Sequence, residues 1–431
     1  MFQIIKRLQT KRSLRYAICI LLGIGFVGLL NHAGSIAEAS GAIAQSSITN
    51  NVTDRSLRQA GWEPVGQVNQ APMPDDPATV AESSRDTRET AAYVVLEDGR
   101  MYRRSRQPPP QADEPREFLG IPRDFKGKPQ ESPQDRRSSD NSEFAIASAK
   151  SNGKPDEPSA SDLTINKADA VAVLLGDTDD RKVFDKTRDL TSYPYRTVGS
   201  ISGSPTATGG CTGTLVGPRH VLTAAHCLHD GKGTWYSPIY FSPGQQGTTK
   251  LNGTPRKMVR RYARTFGLSW DYGLIVLEDD PNTASLGWMG MGWYNNLNAY
   301  KGKSVRNLGY PVANQQCTAS PLDNGTKKGQ CGGYMYGDSC KIDRAVSSGY
   351  MMYDCDATGG HSGSSVWEWR GNIPTVLAVH KRGNEPSSGA EVTASPATLN
   401  LGARLRSQMY SDVCDWIGNF PSQYAKHQCD K

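Results

Sequence analysis

At 431 residues the chain is longer than one ordinary domain, so its sequence divides into parts. A formal net charge of +6 and a charged fraction of 21% are too moderate to point to nucleic acid. Nine cysteines raise disulfides or metal ligation, and the absence of any paired Cys-x-x-Cys spacing argues against zinc.

The first segment, residues 1–44, reads as a secretory signal. Lys6, Arg7, Lys11, Arg12 and Arg15 form a basic start, residues 16–30 an apolar core, and Ala37-Glu38-Ala39 or Ala42-Ile43-Ala44 a small-residue cleavage site. An uncleaved anchor is the alternative, but an apolar core of about fifteen residues is short for a bilayer. No later segment is apolar enough to span one, so the expectation is a secreted or periplasmic protein without stable membrane association after signal cleavage. Cys19 leaves with the signal. The other eight cysteines fall after residue 210, and an even number in an exported chain predicts four disulfides.

Residues 45–171 are rich in Pro, Ser, Asp, Glu and Arg, as in Gln107-Pro108-Pro109-Pro110. Such a stretch buries too little apolar area to offset the entropy of ordering, so it is expected to be mostly disordered. One island differs: Tyr93-Val94-Val95-Leu96, then Asp98-Gly99, then Met101-Tyr102, a small hairpin. Its place between the signal and the cysteine-bearing region favours a propeptide over a plain linker.

Residues 172–431 alternate short apolar runs with Gly, Pro, Asn and Asp turns, the pattern of an all-β domain. Residues 215–222, 274–277, 305–308 and 376–379 are predicted strands. Leu405, Met409, Val413 and Trp416 recur at helical spacing, which predicts an amphipathic helix over residues 403–419. The basic run Arg256-Lys257-Met258-Val259-Arg260-Arg261-Tyr262-Ala263-Arg264 reads as a solvated strand face, with recruitment of an anionic surface or acidic substrate as the alternative.

Three segments carry chemistry together: Thr223-Ala224-Ala225-His226-Cys227, Asp271-Tyr272-Gly273-Leu274 and Gly359-Gly360-His361-Ser362-Gly363-Ser364. A serine hydroxyl needs a base to take its proton and a carboxylate to hold that base in the right tautomer. His226, Asp271 and Ser362 supply these, in the chain order His, Asp, Ser. The segments resemble the chymotrypsin-fold serine proteases, and within them the bacterial glutamyl endopeptidases, over roughly residues 173–417. Tyr193-Pro194-Tyr195-Arg196, Cys211-Thr212-Gly213-Thr214 and Leu377-Ala378-Val379-His380 are similar to further segments of that family.

The resemblance implies two antiparallel β-barrels with the site in the cleft between them, followed by a C-terminal helix. The first barrel would carry His226 and Asp271, the second Ser362. It also implies an oxyanion hole from the N–H groups of Gly360 and Ser362, and a Cys211–Cys227 disulfide. His380 would contact a substrate carboxylate as a protonated imidazole, near the mature N-terminal amine. Ala357 stands where the family usually has a hydroxyl residue. Asp356 stands where trypsin holds the aspartate that selects Lys and Arg. His361 replaces the aspartate that animal enzymes pair with a new N-terminus, so that route of activation is unavailable. His220, His229 and His361 match no ligand pattern and read as loop or surface residues. The expected protein is a monomeric serine endopeptidase acting on proteins or peptides after Glu, then Asp, without cofactor or catalytic metal. Its maturation cut is expected between residues 166 and 176. An Arg/Lys preference through Asp356, an inactive homologue serving as a binding module, and a tethered envelope protein are the alternatives.

Overall fold

The computed structural model describes residues 54–75, 77, 91–104, 118–119, 127, 180–184, 190–250, 253, 255–264, 270–312, 331–383, 399–427 and 429. The chain separates into two units, Met1–Trp62 and Glu63–Lys431. In the first, residues 54–59 form a helix in which Arg58 pairs with Asp54 at 2.8 Å.

The second unit begins with strands β1 (Glu63–Gln67), β2 (Asn69–Ala71), β3 (Ala92–Leu96), β4 (Arg100–Arg104), β5 (Phe118–Leu119) and β6 (Lys182–Phe184). The next group is β7 (Val198–Ser202), β8 (Cys211–Gly217), β9 (His220–Thr223), β10 (Thr234–Tyr236), β11 (Tyr240–Pro243), β12 (Gln245–Gln246), β13 (Thr249–Lys250), β14 (Arg256–Arg264) and β15 (Gly273–Leu277). Within it β14-β11-β7-β8-β9-β15 is closed by a β14–β15 pairing, giving a six-strand antiparallel barrel. The last group is β16 (Gly290–Met291), β17 (Trp293–Tyr294), β18 (Ser304–Gly309), β19 (Met335–Ala345), β20 (Tyr350–Tyr353), β21 (Ser365–Arg370), β22 (Ile373–Gly383) and β23 (Asn400–Arg404). Here β22-β21-β18-β19-β20-β23 is closed by β22–β23, a second six-strand antiparallel barrel. This is the expected chymotrypsin-like architecture. Closure pairs the two end strands of each barrel with one another, and the apolar runs of β15 (Gly-Leu-Ile-Val-Leu) and β8 are buried along their whole length.

Several boundaries differ from the sequence reading. The single strand expected over residues 215–222 is a hairpin, because Pro218 and Arg219 form a turn between β8 and β9. The C-terminal helix spans Ser407–Asn419, since residues 400–404 are taken by the β23 ladder instead. Met409, Val413 and Trp416 are fully buried, and Trp416 stacks on Tyr262 of β14 at 5.3 Å. The helix thus follows the second barrel but packs on the first, and burying a Trp of this kind contributes about 2–3 kcal/mol. No described helix is long and apolar enough to cross a membrane.

The basic run is not a solvated face. Arg261 is fully buried and Arg256 nearly so. The Arg261 guanidinium lies 5.4 Å from the Trp235 ring, and burial pushes its pKa down to about 9. Arg256 donates to Thr283 Oγ1 at 2.8 Å, and Arg260 covers Phe420 at 4.1 Å. Arginine's weakly hydrated plane lets it stack on aromatic side chains in this way.

The upstream hairpin forms where the sequence marks it, as β3 and β4 about Asp98-Gly99. It is no island. β3 pairs antiparallel with β14 from Arg260↔Leu96 to Arg264↔Ala92, and β4 pairs in turn with β1. Val94 and Val95 are fully buried, Lys257 pairs with Glu97, and Arg104 meets Asp415 at 3.2 Å. The stretch read as mostly disordered therefore contributes strands to the first barrel's sheet. The signal and the expected cleavage window lie outside the described residues.

Candidate active site

His226 sits in the 3-10 turn Ala225–Cys227 directly after β9, and Asp271 directly before β15. The β9–β15 pairing, Gly273↔Thr223 first, brings these two turns side by side. The Cys211–Cys227 disulfide ties the histidine turn back to β8, as expected. Asp271 grips the histidine twice: Oδ2 lies 2.7 Å from His226 Nδ1, and Oδ1 accepts the His226 N–H at 3.1 Å. Lys381 Nζ approaches the same Oδ2 at 3.5 Å. Burial alone would push the Asp271 carboxyl up, but His226 and then Lys381 outweigh it and hold the group well below the ordinary carboxylate range.

Ser362 belongs to the loop between β20 and β21, which the first barrel clamps. Thr212 of β8 donates its N–H to Ser362 O and its hydroxyl to Gly360 O, each at 2.8 Å. Gly363 N–H reaches His380 O at 2.9 Å, and His380 N–H reaches Ser364 O at 2.7 Å. Gly360 has φ +94°, and a Cβ there would come within 2.4 Å of Tyr310 O. Gly363 has φ +84°, and a Cβ would come within 2.1 Å of Thr223 Oγ1. Only glycine fits at either position. Among the described residues, the N–H groups of Gly360 and Ser362 donate to no backbone carbonyl.

Among the described residues no hydrogen bond joins the Ser362 and His226 side chains. Ser362 Oγ lies 3.5 Å from Lys381 O, and the buried His226 Nε2 has no partner. Side-chain pairs in substrate-free sites are commonly loose and tighten when substrate binds.

Asp356 and Ala357 are both buried. The Asp356 carboxylate accepts the N–H of Asp180 at 2.7 Å, so it is engaged by the segment leading into β6. Beside it, buried Arg181 donates to Thr358 Oγ1 at 2.5 Å. His380 on β22 is fully buried, and burial pushes its pKa down to about 3, with His226 adding to that and Asp271 opposing it. Without substrate the ring is thus held toward its neutral form, and the protonated imidazole that the resemblance implies belongs to the site with a carboxylate bound. Its Nδ1 is hydrogen-bonded to the Tyr353 hydroxyl, which burial keeps protonated. If the phenol donates, the imidazole hydrogen sits on Nε2, and this tautomer leaves only that N–H unpaired.

His220, His229 and His361 are buried, not on the surface, and His361 lies in the loop that carries Ser362. His220 Nε2 meets Phe420 O at 2.9 Å, His229 packs on Trp235 at 4.6 Å, and His361 lies against Asn307 and Gly309. Two further disulfides join Cys340 to Cys355 and Cys414 to Cys429. Cys331 is disulfide-bonded as well, and Cys317 lies outside the described residues. Cys211, His226 and Cys227 lie within metal-ligating distance of one another, but the disulfide consumes both thiols and leaves no thiolate pair for an ion.

The Trypsin-like peptidase domain matches residues 211–373. A glutamyl endopeptidase of Bacillus licheniformis is 31% identical over 244 residues, covering 54% of this chain and 67% of its own. The chain belongs to the chymotrypsin-fold serine proteases. Within them it stands close to the glutamyl endopeptidases, and it is a serine endopeptidase. A Bacillus subtilis protein named as an extracellular metalloprotease is 28% identical over 248 residues, 56% of this chain and 68% of its own. Among solved structures, a Glu endopeptidase in complex with MPD matches 57% of this protease and 98% of its own chain. That match has 21% identity and a TM-score of 0.42, so the fold assignment rests on the two closed barrels.

Sequence reasoning missed Lys381, Tyr353 and Arg181. Lys381 is the residue after His380 and was open to notice. Tyr353 and Arg181 reach the site only through strand pairing and loop docking, and no local pattern marks them.

Proposed function

We propose that this protease is exported as a preproprotein and hydrolyses peptide bonds after Glu, then Asp, through His226, Asp271 and Ser362. Ser362 Oγ attacks the scissile carbonyl carbon and its proton passes to His226 Nε2. The C–N bond then breaks as that proton moves to the leaving amine, and water repeats the sequence on the acyl-enzyme. Asp271 holds the tautomer with hydrogen on Nδ1 and stabilises the imidazolium, while the free N–H groups of Gly360 and Ser362 receive the oxyanion. The observation that carries this reading is the double Asp271 grip on His226 beside a serine loop clamped by Thr212 and His380.

Glutamate preference is supported by His380, whose buried Nε2 has no partner and, in the tautomer set by a donating Tyr353 hydroxyl, carries a hydrogen in need of an acceptor. A bound carboxylate satisfies it and raises the imidazole pKa, so charge develops as substrate binds. Arg/Lys preference is disfavoured because Asp356 is already occupied by the Asp180 N–H. Docking of residues 180–184 on the second barrel supports a maturation cut N-terminal to Asp180. Profiling a peptide library with the mature enzyme tests the specificity: cleavage after Glu is expected, and cleavage after Arg or Lys would reverse it.

A further inference from the structure

Lys381 touches the site from both ends of the residue. Its carbonyl lies 3.5 Å from Ser362 Oγ, and its ammonium lies 3.5 Å from Asp271 Oδ2, the oxygen that meets His226 Nδ1 at 2.7 Å. The lysine side chain is 17% exposed and the aspartate 1%. This pair is therefore largely shielded from water, where charges act on one another strongly. The titratable groups bearing on this centre are His226 from the turn after β9, Asp271 from the start of β15, and Lys381 with neutral His380 from β22.

We propose that Lys381 is a positioning residue of the reaction, its ammonium sharing Asp271 Oδ2 with the imidazole and thereby extending activity to lower pH. A carboxylate alone beside a histidine favours the imidazolium, which cannot accept the serine proton. A cation on the same oxygen draws part of that carboxylate charge away from the ring. The backbone hydrogen bonds of His380 to Gly363 and Ser364 fix β22 against the nucleophile loop, which keeps the ammonium in register with the carboxylate. This inference rests on the triad proposed above.

The test is the pH dependence of kcat/KM for a Glu peptide, measured on the mature enzyme and on Lys381→Met, Lys381→Gln and Lys381→Arg. The two neutral variants should move the acid midpoint upward by about one pH unit, a roughly tenfold loss at pH values on that limb. The arginine variant should restore the wild-type midpoint. An unmoved midpoint in a neutral variant, or an arginine variant that behaves like methionine, would overturn the role of the charge. A loss confined to Glu substrates and absent for a small activated ester would overturn it too, making Lys381 a substrate contact. Glutamine serves if methionine fails to fold. Fluorophosphonate labelling at high pH separates the two readings. A labelled wild type with an unmoved variant midpoint defeats only the lysine proposal, whereas an unlabelled wild type defeats the triad and this inference with it.

Discussion

At the scale of single residues, the site depends on groups that are buried and nearly but not fully satisfied. His380 is the sharpest case, with one nitrogen held by Tyr353 and the other unpaired. His380→Ala should lower kcat/KM for Glu peptides by about 100-fold or more, since a lost charged contact is worth roughly 1.5–3 kcal/mol. Hydrolysis of a small activated ester should barely change, and an equal loss on both substrates would remove His380 from the specificity role. Gly360→Ala belongs to the same scale. Its methyl would strike Tyr310 O, turning the oxyanion donors out of line, so kcat should fall by about 10²–10³. Near-wild-type kcat in that variant would contradict the placement of the oxyanion hole. His226, Asp271, Ser362 and Gly360 were legible in the sequence because their chemistry sits in short, ordered strings. The neutrality of His380 and the engagement of Asp356 were not, because both arise from burial and from a partner 176 residues away.

At the scale of elements, the upstream strands are the least expected feature. A Pro-, Ser- and charge-rich composition concealed them, since β1 and β2 carry little apolar sequence and gain their order by pairing with β4 and β10. The hairpin alone announced itself, through alternating apolar residues about Asp-Gly. Because β3 is paired to β14 and buries Val94 and Val95, a cut before Asp180 should leave the upstream segment bound without a covalent link. N-terminal sequencing of the purified enzyme should then give a start between residue 166 and Asp180, together with a co-eluting upstream fragment. A single chain starting near residue 45 with full activity would contradict both parts. The barrel strands themselves were legible as apolar runs, but their hairpin break at Pro218 and the loss of residues 400–404 to β23 followed from ladder pairing that spacing alone does not reveal.

At the scale of the molecule, buried histidines tie stability to pH. Burial pushes His220 down to about 3, with His427 and Arg219 adding to it, and it likewise pushes His380 to about 3, while the half-buried His427 is pushed to about 4. Their folded values lie below the unfolded one, so below pH 6.5 the unfolded chain takes up protons that the folded chain refuses. Stability is therefore full above about pH 6.5 and falls toward pH 3–4, by about 1.4 kcal/mol per unit for each such group. Asp338 works the other way, since burial raises it to about 6, but it is one group against several histidines, His361 among them, which burial also pushes down. Urea unfolding should show stability falling from pH 7 to pH 5, and His220→Gln, which keeps a donor for Phe420 O, should flatten that slope. A flat profile in the wild type would contradict the burial of these rings.

The central claim is that the clamped serine between the barrels is the nucleophile. Labelling the mature enzyme with a fluorophosphonate and mapping the adduct by mass spectrometry, alongside the kcat of Ser362→Ala, tests it most directly. The predicted result is a single adduct on Ser362 and a variant that folds but turns over only at the residual level, roughly 10³–10⁴ above water. An adduct on another residue, or a variant retaining more than about one per cent of wild-type kcat, far above that residual, would contradict it.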